Sequence, residues 1–125
     1  MVIISEAQGS EDPLARYRGT SRVLVMLASE QNDPNLTRQR DLNTQARAGF
    51  LERDLVIVEL VGSQSGTAAV RERLSPSQGA FRVVLVGKDG RVKQTSEHPI
   101  RPEELFATID AMPMRQREMR ERGAR

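Results

Sequence analysis

The chain has 125 residues, a formal net charge of +2 and 38% hydrophobic residues, which predicts one globular domain with its own hydrophobic core. Because the chain contains no cysteine, disulfides, thiol catalysis and thiolate metal sites are excluded. The single histidine, His98, cannot form a metal site by itself, and we expect no metal or other cofactor. No apolar run is long enough to cross a bilayer, and the first ten residues are too short and too polar for an intact signal peptide.

The beginning of the chain predicts an arm, a strand and a helix. Residues 1–20 show little periodicity, so we expect an N-terminal arm with one short helical turn. The continuous apolar run Arg22–Ala28 then predicts a buried strand. A polar loop follows and ends at Asp33, which is suited to cap a helix, while Pro34 suits the first helical position. This helix is predicted to run to about Ala48.

The predicted helix carries polar residues on its apolar face. Gln39 and Asn43 share helical spacing with Leu36, so they stand where apolar residues are expected. We expect the amide of Gln39 to face the sheet and to hydrogen-bond the backbone near Arg53 or Asp54, because an unpaired buried amide costs about 1–3 kcal/mol. The alternative is a boundary position that lies half in solvent.

The middle of the chain predicts two further strands with a short helix between them, over residues 54–60, 67–74 and 81–86. Asp89-Gly90 is a strong hairpin signal, because glycine tolerates the positive φ of a tight turn. The return strand over residues 91–95 is polar and suits the edge of a sheet. Lys88 and Asp89 are interpreted as turn residues, and ligand binding is the alternative.

The end of the chain predicts two helices. The first begins at Pro102, with acidic residues in its first turn and a clear apolar stripe. The tail, residues 113–125, holds five arginines against two glutamates, and Glu118 and Arg122 have the spacing of a favourable i,i+4 pair. Its methionines and arginines fit either a helix packed on its own domain or a docking segment for a partner. From Arg117 onward, few apolar residues are available to hold it on a monomer.

The order of elements, β-α-β-α-β-β-α, predicts an α/β domain over residues 21–112 that is followed by the basic tail. The crossover helix makes the first two strands parallel, and the two most apolar strands should be central. We expect a thioredoxin-like three-layer sandwich with a mixed four-stranded sheet, in the spatial order 91–95, 81–86, 22–28, 54–60.

Several segments together resemble the P-DUDES family, which are thioredoxin-like domains of unknown function in bacterial proteins and in animal sushi-repeat and matrix-associated proteins. The resemblance covers residues 12–120 and rests on the order and spacing of short motifs: Gln39, residues 52–55, residues 81–90, Lys93, residues 109–115 and Glu118-Met119. It implies the fold but no common activity. Because the animal members are secreted and the bacterial members often carry signal peptides, it also implies an extracytoplasmic location.

The chain departs from redox-active thioredoxins at two positions that matter for their chemistry. Their CxxC motif would fall near residues 30–33, where this chain has no thiol. Their cis-proline would come just before the third strand, where this chain has Gly79-Ala80. We therefore do not expect a thiol oxidoreductase.

These features predict a non-catalytic module that binds a protein partner, a ligand or a second copy of the chain. The candidate binding residues lie in the polar loop, the following helix, the hairpin and the tail: Gln31, Asn32, Arg38, Gln39, Lys88, Met114, Arg115, Arg117 and Arg120. The alternative is an enzyme of non-thiol chemistry, with Glu30 or Asp33 as the base and Arg38 as its electrostatic partner. Nucleic-acid binding is not expected, because aromatic residues make up 3% of the chain and no recognition motif appears.

Overall fold

The computed structural model describes residues 3–4, 14–62, 68–74 and 81–123. The strands are β1 (Ile3–Ile4), β2 (Arg22–Ala28), β3 (Leu55–Val61), β4 (Arg82–Val86) and β5 (Val92–Ser96). The α-helices are α1 (Pro34–Gln45), α2 (Arg47–Glu52), α3 (Ala68–Leu74), α4 (Pro102–Asp110) and α5 (Pro113–Glu121), and a 3₁₀ turn spans Ala15–Tyr17. Within these residues, no helix has the length and apolar character that crossing a membrane requires.

The described strands form one sheet in the order β1-β3-β2-β4-β5, with β2 at its centre. β2 runs parallel to β3 and antiparallel to β4, and β4 pairs with β5 as an antiparallel hairpin. The predicted order of the four main strands is confirmed, and so is the edge position of the polar return strand. The arm contributes more than the expected helical turn, because β1 pairs in parallel with β3 and adds a fifth strand at the far edge.

Helices and loops cover both faces of the sheet, because the central strands alternate their side chains between two hydrophobic layers. One layer combines side chains of β2 with those of α1, α2 and α4, including Leu24, Met26, Leu36, Phe50 and Leu105. The other layer combines the opposite side of β2 with the 3₁₀ turn and α3, including Val23, Val25, Leu27, Tyr17 and Leu74. The architecture is the predicted α/β sandwich.

The first long helix ends earlier than predicted. α1 stops at Gln45, and Ala46 leaves the helical region with φ −112° and ψ 24° before α2 begins. This break allows the separate helix α2 to direct Phe50 into the core, where its ring meets Phe106 edge to face at a centroid distance of 5.7 Å. Gly49 is required for this packing, because a Cβ there would lie 2.5 Å from Cε2 of Phe106.

The tight turn between β4 and β5 forms as predicted. Gly90 has φ +82°, and its N–H donates to the carbonyl of Gly87 at 2.9 Å. Asp89 is a turn residue, since its Oδ1 accepts from the N–H of Arg91 at 2.9 Å and its Oδ2 accepts from Lys93 at 2.9 Å. Lys88 instead turns towards the interior of the domain, as described below.

Gln39 is a buried polar residue that joins α1 to the segment before α4. Its residue exposure is 1%, its Nε2 donates to the carbonyl of Ile100 at 3.1 Å, and its Oε1 accepts from the N–H of Ile100 at 2.7 Å. Nε2 also donates to Asn43 Oδ1 at 3.0 Å. The expected burial of this amide is confirmed, but the expected partner was wrong. Gln39 pairs with both backbone groups of Ile100 and not with the backbone of Arg53 or Asp54.

Replacing Gln39 by leucine is expected to lower the free energy of unfolding by about 1–3 kcal/mol, because the N–H and C=O of Ile100 lose a buried partner. Gln45→Leu makes the same change at an exposed position of α1 and serves as the matched control. Urea unfolding of both variants measures the difference. Equal stability of the two variants would contradict the structural role of this amide.

Candidate functional site

The β2–α1 loop, residues 29–33, lies at the carboxyl end of the central strand. Residues 29–32 are exposed, whereas Asp33 is half-buried. Asp33 Oδ1 accepts from the N–H of Asn35 at 2.8 Å and from the N–H of Leu36 at 3.3 Å. This side chain is therefore the N-cap of α1, as predicted, and it fixes where the loop ends.

An ion pair between a half-buried arginine and a buried glutamate lies next to the loop. Glu59 on β3 is 4% exposed. Arg40 on α1 donates to its carboxylate from Nε at 3.1 Å and from Nη2 at 2.7 Å. The same Nη2 donates to Oε1 of Gln31 at 2.7 Å, so the loop side chain is held by the pair. Hydrogen bonds to Glu59 raise the pKa of Arg40, and the guanidinium stays charged. The predicted loop residue Gln31 is thus oriented by two residues that sequence reasoning did not select.

A signal for that pair exists in the sequence. Glu59 is the charged residue inside the apolar run of β3, and such a residue requires a partner when the strand is central. Arg40 follows Leu36 by four residues, which places it on the face of α1 that packs on the sheet. The sequence does not show that Arg40 and Glu59 pair with each other, because that depends on how α1 lies across β3.

Glu30, Asp33 and Arg38 are not arranged as acid/base catalysis would require. Asp33 is engaged as a helix cap, and Glu30 is exposed. Arg38 is also exposed and lies about 200° around the axis of α1 from buried Leu36. A cavity of about 20 Å³ lies elsewhere, beside Tyr17 and Gly90. The described residues therefore do not gather these three side chains in a shared pocket.

A second polar group lies at the opposite end of β2, under α5. We call it the α5 charge cluster, and its members are Arg22, Glu52, Arg53, Asp54, Lys88, Asp110, Arg115, Glu118 and Arg122. At its centre, Arg22 donates from Nη1 and Nη2 to the two oxygens of Glu118, both at 3.1 Å. Lys88 Nζ donates to Glu118 at 2.7 Å and to Asp54 at 3.0 Å.

Arg115 anchors the other side of α5 within the same cluster. It is 1% exposed, and it donates to Glu52 Oε2 at 2.7 Å and to Asp110 Oδ1 at 3.0 Å. Asp110 also accepts hydrogen bonds from Nε and Nη2 of Arg53, at 3.0 and 2.9 Å. The guanidinium of Arg53 lies 4.1 Å from the ring centroid of Phe106. The charges of α5 are thus connected to α2, α4 and β2.

The candidate binding residues do not form one group. Gln31 and Asn32 are exposed in the β2–α1 loop. Lys88 and Arg115 belong to the α5 charge cluster, and Gln39 is enclosed in the core, so these three have partners inside the domain. The remaining candidates of the tail, Met114, Arg117 and Arg120, are exposed on α5.

From Arg117 onward the tail has few apolar residues, and ionic contacts hold it on the domain instead. Glu118 binds Arg22 and Lys88, and Arg122 donates to Asp54 at 3.2 Å and to the carbonyl of Glu52. These contacts are ionic, so the count of apolar residues did not indicate them. They also replace the expected pair within the tail, because Glu118 and Arg122 each bind the domain.

The sequence of the chain matches a family model and a curated protein. A family model described as Domain of unknown function (DUF4174) matches residues 13–118. The rat sushi repeat-containing protein SRPX2 is 26% identical over 124 aligned residues, which cover 88% of this chain and 27% of that protein. The chain therefore spans about a quarter of the length of this curated relative.

Solved structures with a thioredoxin-like fold resemble the domain. The reduced 2-Cys peroxiredoxin of Plasmodium vivax has a TM-score of 0.62 at 14% identity, with 83% of this chain and 84% of that chain covered. The reduced desulfothioredoxin of Desulfovibrio vulgaris Hildenborough has a TM-score of 0.57 at 18% identity, with 87% and 97% covered. At these identities the likeness establishes the thioredoxin-like fold, which confirms the predicted fold class.

Two carboxylates of the α5 charge cluster make stability depend on pH. Burial raises the pKa of Glu118, but Arg22 and Lys88 outweigh it and hold the pKa below the ordinary value of 4.5. Burial likewise raises the pKa of Asp110, but Arg53 and Arg115 hold it below 3.8. Because both pKa values are lower in the folded state, their stabilisation is complete above about pH 4.5 and is lost as the pH falls through the folded values.

We expect the free energy of unfolding to decline as the pH is lowered from neutral to about pH 2. Glu118→Gln should show a shallower decline than the parent, because one of the two carboxylates no longer titrates. Urea unfolding at a series of pH values measures both curves. Parallel curves for the two proteins would show that Glu118 does not contribute.

Replacing Glu118 by alanine is expected to lower the free energy of unfolding by an amount on the order of 3 kcal/mol, because buried Arg22 loses the carboxylate that neutralises it. Glu121→Ala changes an exposed glutamate on the same helix and should have little effect. Thermal and urea unfolding compare the two variants. Similar losses in both would indicate that the helix, rather than the ion pair, was perturbed.

Proposed function

Because this chain belongs to the family described as a domain of unknown function (DUF4174), we propose its function from its geometry. It is a cysteine-free thioredoxin-like module that binds a protein partner through the β2–α1 loop and catalyses no thiol reaction. The observation that supports this proposal is the hydrogen bond of Gln31 to the Arg40–Glu59 pair. It fixes a polar side chain where redox-active thioredoxins carry their thiols.

The loop suits recognition of a protein because it is both exposed and fixed. Residues 29–32 are open to solvent, while the cap at Asp33 and the bond from Arg40 restrict the conformations of the loop. A fixed loop loses less conformational entropy when a partner binds. The amides of Gln31 and Asn32 can each donate and accept, so they can pair with the backbone of a partner.

The alternative function, an enzyme of non-thiol chemistry, has less support. A general base must reach the proton that it removes and must be free to do so. Asp33 is occupied by the N–H groups of α1, and Arg38 lies on the solvent side of that helix. The geometry therefore favours binding over catalysis.

The identification with P-DUDES domains and the extracytoplasmic location belong to the same proposal. They are supported by the motif resemblance and by the similarity to the rat sushi repeat-containing protein. An extracytoplasmic domain meets its partners outside the cytoplasm. Fractionation of cells of the native organism with an antibody against the domain tests the location, and recovery in the cytoplasm alone would refute it.

A photoreactive amino acid at position 32 is expected to crosslink a protein partner in cells of the native organism, because Asn32 lies at the exposed tip of the proposed binding loop. The same residue at position 45, exposed at the far end of α1, is the matched control. Mass spectrometry identifies the adducts. Gln31→Ala, made together with the label at position 32, should reduce their yield.

Two outcomes would contradict the proposed function. Equal adducts from positions 32 and 45 would show that the loop is not the binding surface. Reduction of insulin disulfides or turnover of peroxide by the purified protein, absent after heat denaturation, would show that the module is an enzyme.

A further inference from the structure

The 3₁₀ turn that precedes β2 is tied to the hairpin turn between β4 and β5. The N–H of Gly19 donates to the carbonyl of Lys88 at 2.7 Å. Thr20 and Ser21 both donate their N–H groups to the carbonyl of Tyr17, at 3.0 and 2.9 Å. These backbone hydrogen bonds give the segment a defined position against the hairpin.

Arg18 lies against the glycine of that hairpin turn. A Cβ on Gly90 would lie 2.6 Å from Nε of Arg18 and 3.1 Å from its Cζ, and Gly90 also has φ +82°. The guanidinium therefore rests on a position that favours glycine for two reasons. Within the part of the chain that the structure describes, no carboxylate or carbonyl accepts a hydrogen bond from it.

A cavity of about 20 Å³ lies beside Arg18, between the 3₁₀ turn, the hairpin and α3. Its described lining is apolar apart from one serine, the single tyrosine and two arginines, Arg18 and Arg73, and it includes no carboxylate. The cavity is somewhat larger than the about 10–15 Å³ that one water molecule requires, so it admits one small polar group. A lining with cations and no carboxylate favours an anionic group.

The hydroxyl of Tyr17 is a further donor without an acceptor in the same wall. Tyr17 is 8% exposed, and its buried hydroxyl has no hydrogen-bond partner among the described residues. A buried polar group without a partner is unfavourable, so the domain would gain from an acceptor that reached it. Tyr17 and Arg18 both line the cavity, so one ligand can serve both donors.

We propose that this cavity binds the carboxylate group of a small ligand. One oxygen accepts from the guanidinium of Arg18, and the other accepts from the hydroxyl of Tyr17, whose enclosed ring shifts slightly towards the cavity to meet it. A carboxylate fits because it is a flat anion with two acceptor oxygens. Val23 and Val86 in the lining suit a short carbon chain on the ligand. This inference is independent of the function proposed for the β2–α1 loop.

Tyr17 is the single tyrosine of the chain, so ring-labelled tyrosine gives one set of NMR signals that reports on this cavity. Sodium acetate is the probe, acetamide is the neutral control of the same shape, and sodium chloride controls for ionic strength. We expect acetate to shift the Tyr17 signals saturably, with half of the change at about 1–10 mM, since so small a ligand binds weakly. The two controls should leave the signals in place.

An acetylated alanine tripeptide, with its carboxyl terminus free or amidated, then distinguishes two sources of the carboxylate. Tighter binding of the free form than of acetate would assign the carboxylate to the end of a peptide chain. Weaker binding would assign it to a small free acid. Both results support the site, whereas equal binding of the free and amidated forms together with no response to acetate would overturn it.

Two substitutions assign the binding to the named residues. Arg18→Gln should weaken acetate binding at least about tenfold, because it removes the cation. Arg47→Gln removes an exposed arginine of α2 and should leave the affinity unchanged. Without acetate, Tyr17→Phe should not lower the melting temperature, because the lost hydroxyl has no partner. With acetate, this variant should lose the increase in melting temperature that the parent gains.

Three outcomes would each overturn the proposal. The same shift of the Tyr17 signals with acetamide or chloride would show that no carboxylate is recognised. An unchanged affinity in Arg18→Gln would place the acetate elsewhere. A lower melting temperature of acetate-free Tyr17→Phe would show that the hydroxyl already has a partner.

Discussion

The burial of Arg22 is the constraint on which the docking of α5 depends. Arg22 begins the central strand β2, where an apolar residue would be expected, and it is 1% exposed. A guanidinium cannot shed its charge, so it must be surrounded by acceptors when it is enclosed. The carbonyl of Arg53 and the carboxylate of Glu118 provide them. The second of these lies on α5, so the two Nη groups of Arg22 reach a carboxylate only when α5 is docked, while its buried Nε has no hydrogen-bond partner among the described residues.

The two ends of β2 consequently differ in what covers them. The end at Arg22 is covered by α5, and the charges there form ion pairs within the domain. The end at Ala28 leads into an exposed loop that is supported by Arg40 and Glu59. The side chain of Arg40 is 35% exposed, whereas that of Arg22 is 1% exposed. The loop end is therefore open to solvent, while the enclosed carboxylates at the α5 end make stability depend on pH.

The strands, their order and the hairpin turn could be predicted from the sequence because each rests on a local pattern. The apolar run of β2 predicts a central strand, and Gly90 predicts a turn with positive φ, and both form. Partners that are distant in the chain could not be predicted, because they depend on how whole elements pack. Gln39 and Ile100 are 61 residues apart, and Arg22 and Glu118 are 96 residues apart. The sequence shows which polar residues would require partners if buried, but it does not show which residues those partners are.

This thioredoxin-like domain stays intact without cysteine because its core packing does not involve the β2–α1 loop. The sheet is stabilised by two apolar layers that contain no residue of the β2–α1 loop. The loop is positioned by a helix cap and an ion pair, and neither needs a thiol. Redox chemistry in this fold is therefore an addition to the scaffold, and its loss removes no contact on which folding depends. What the fold keeps at that end of the sheet is an exposed loop that is held by a helix cap and by Arg40.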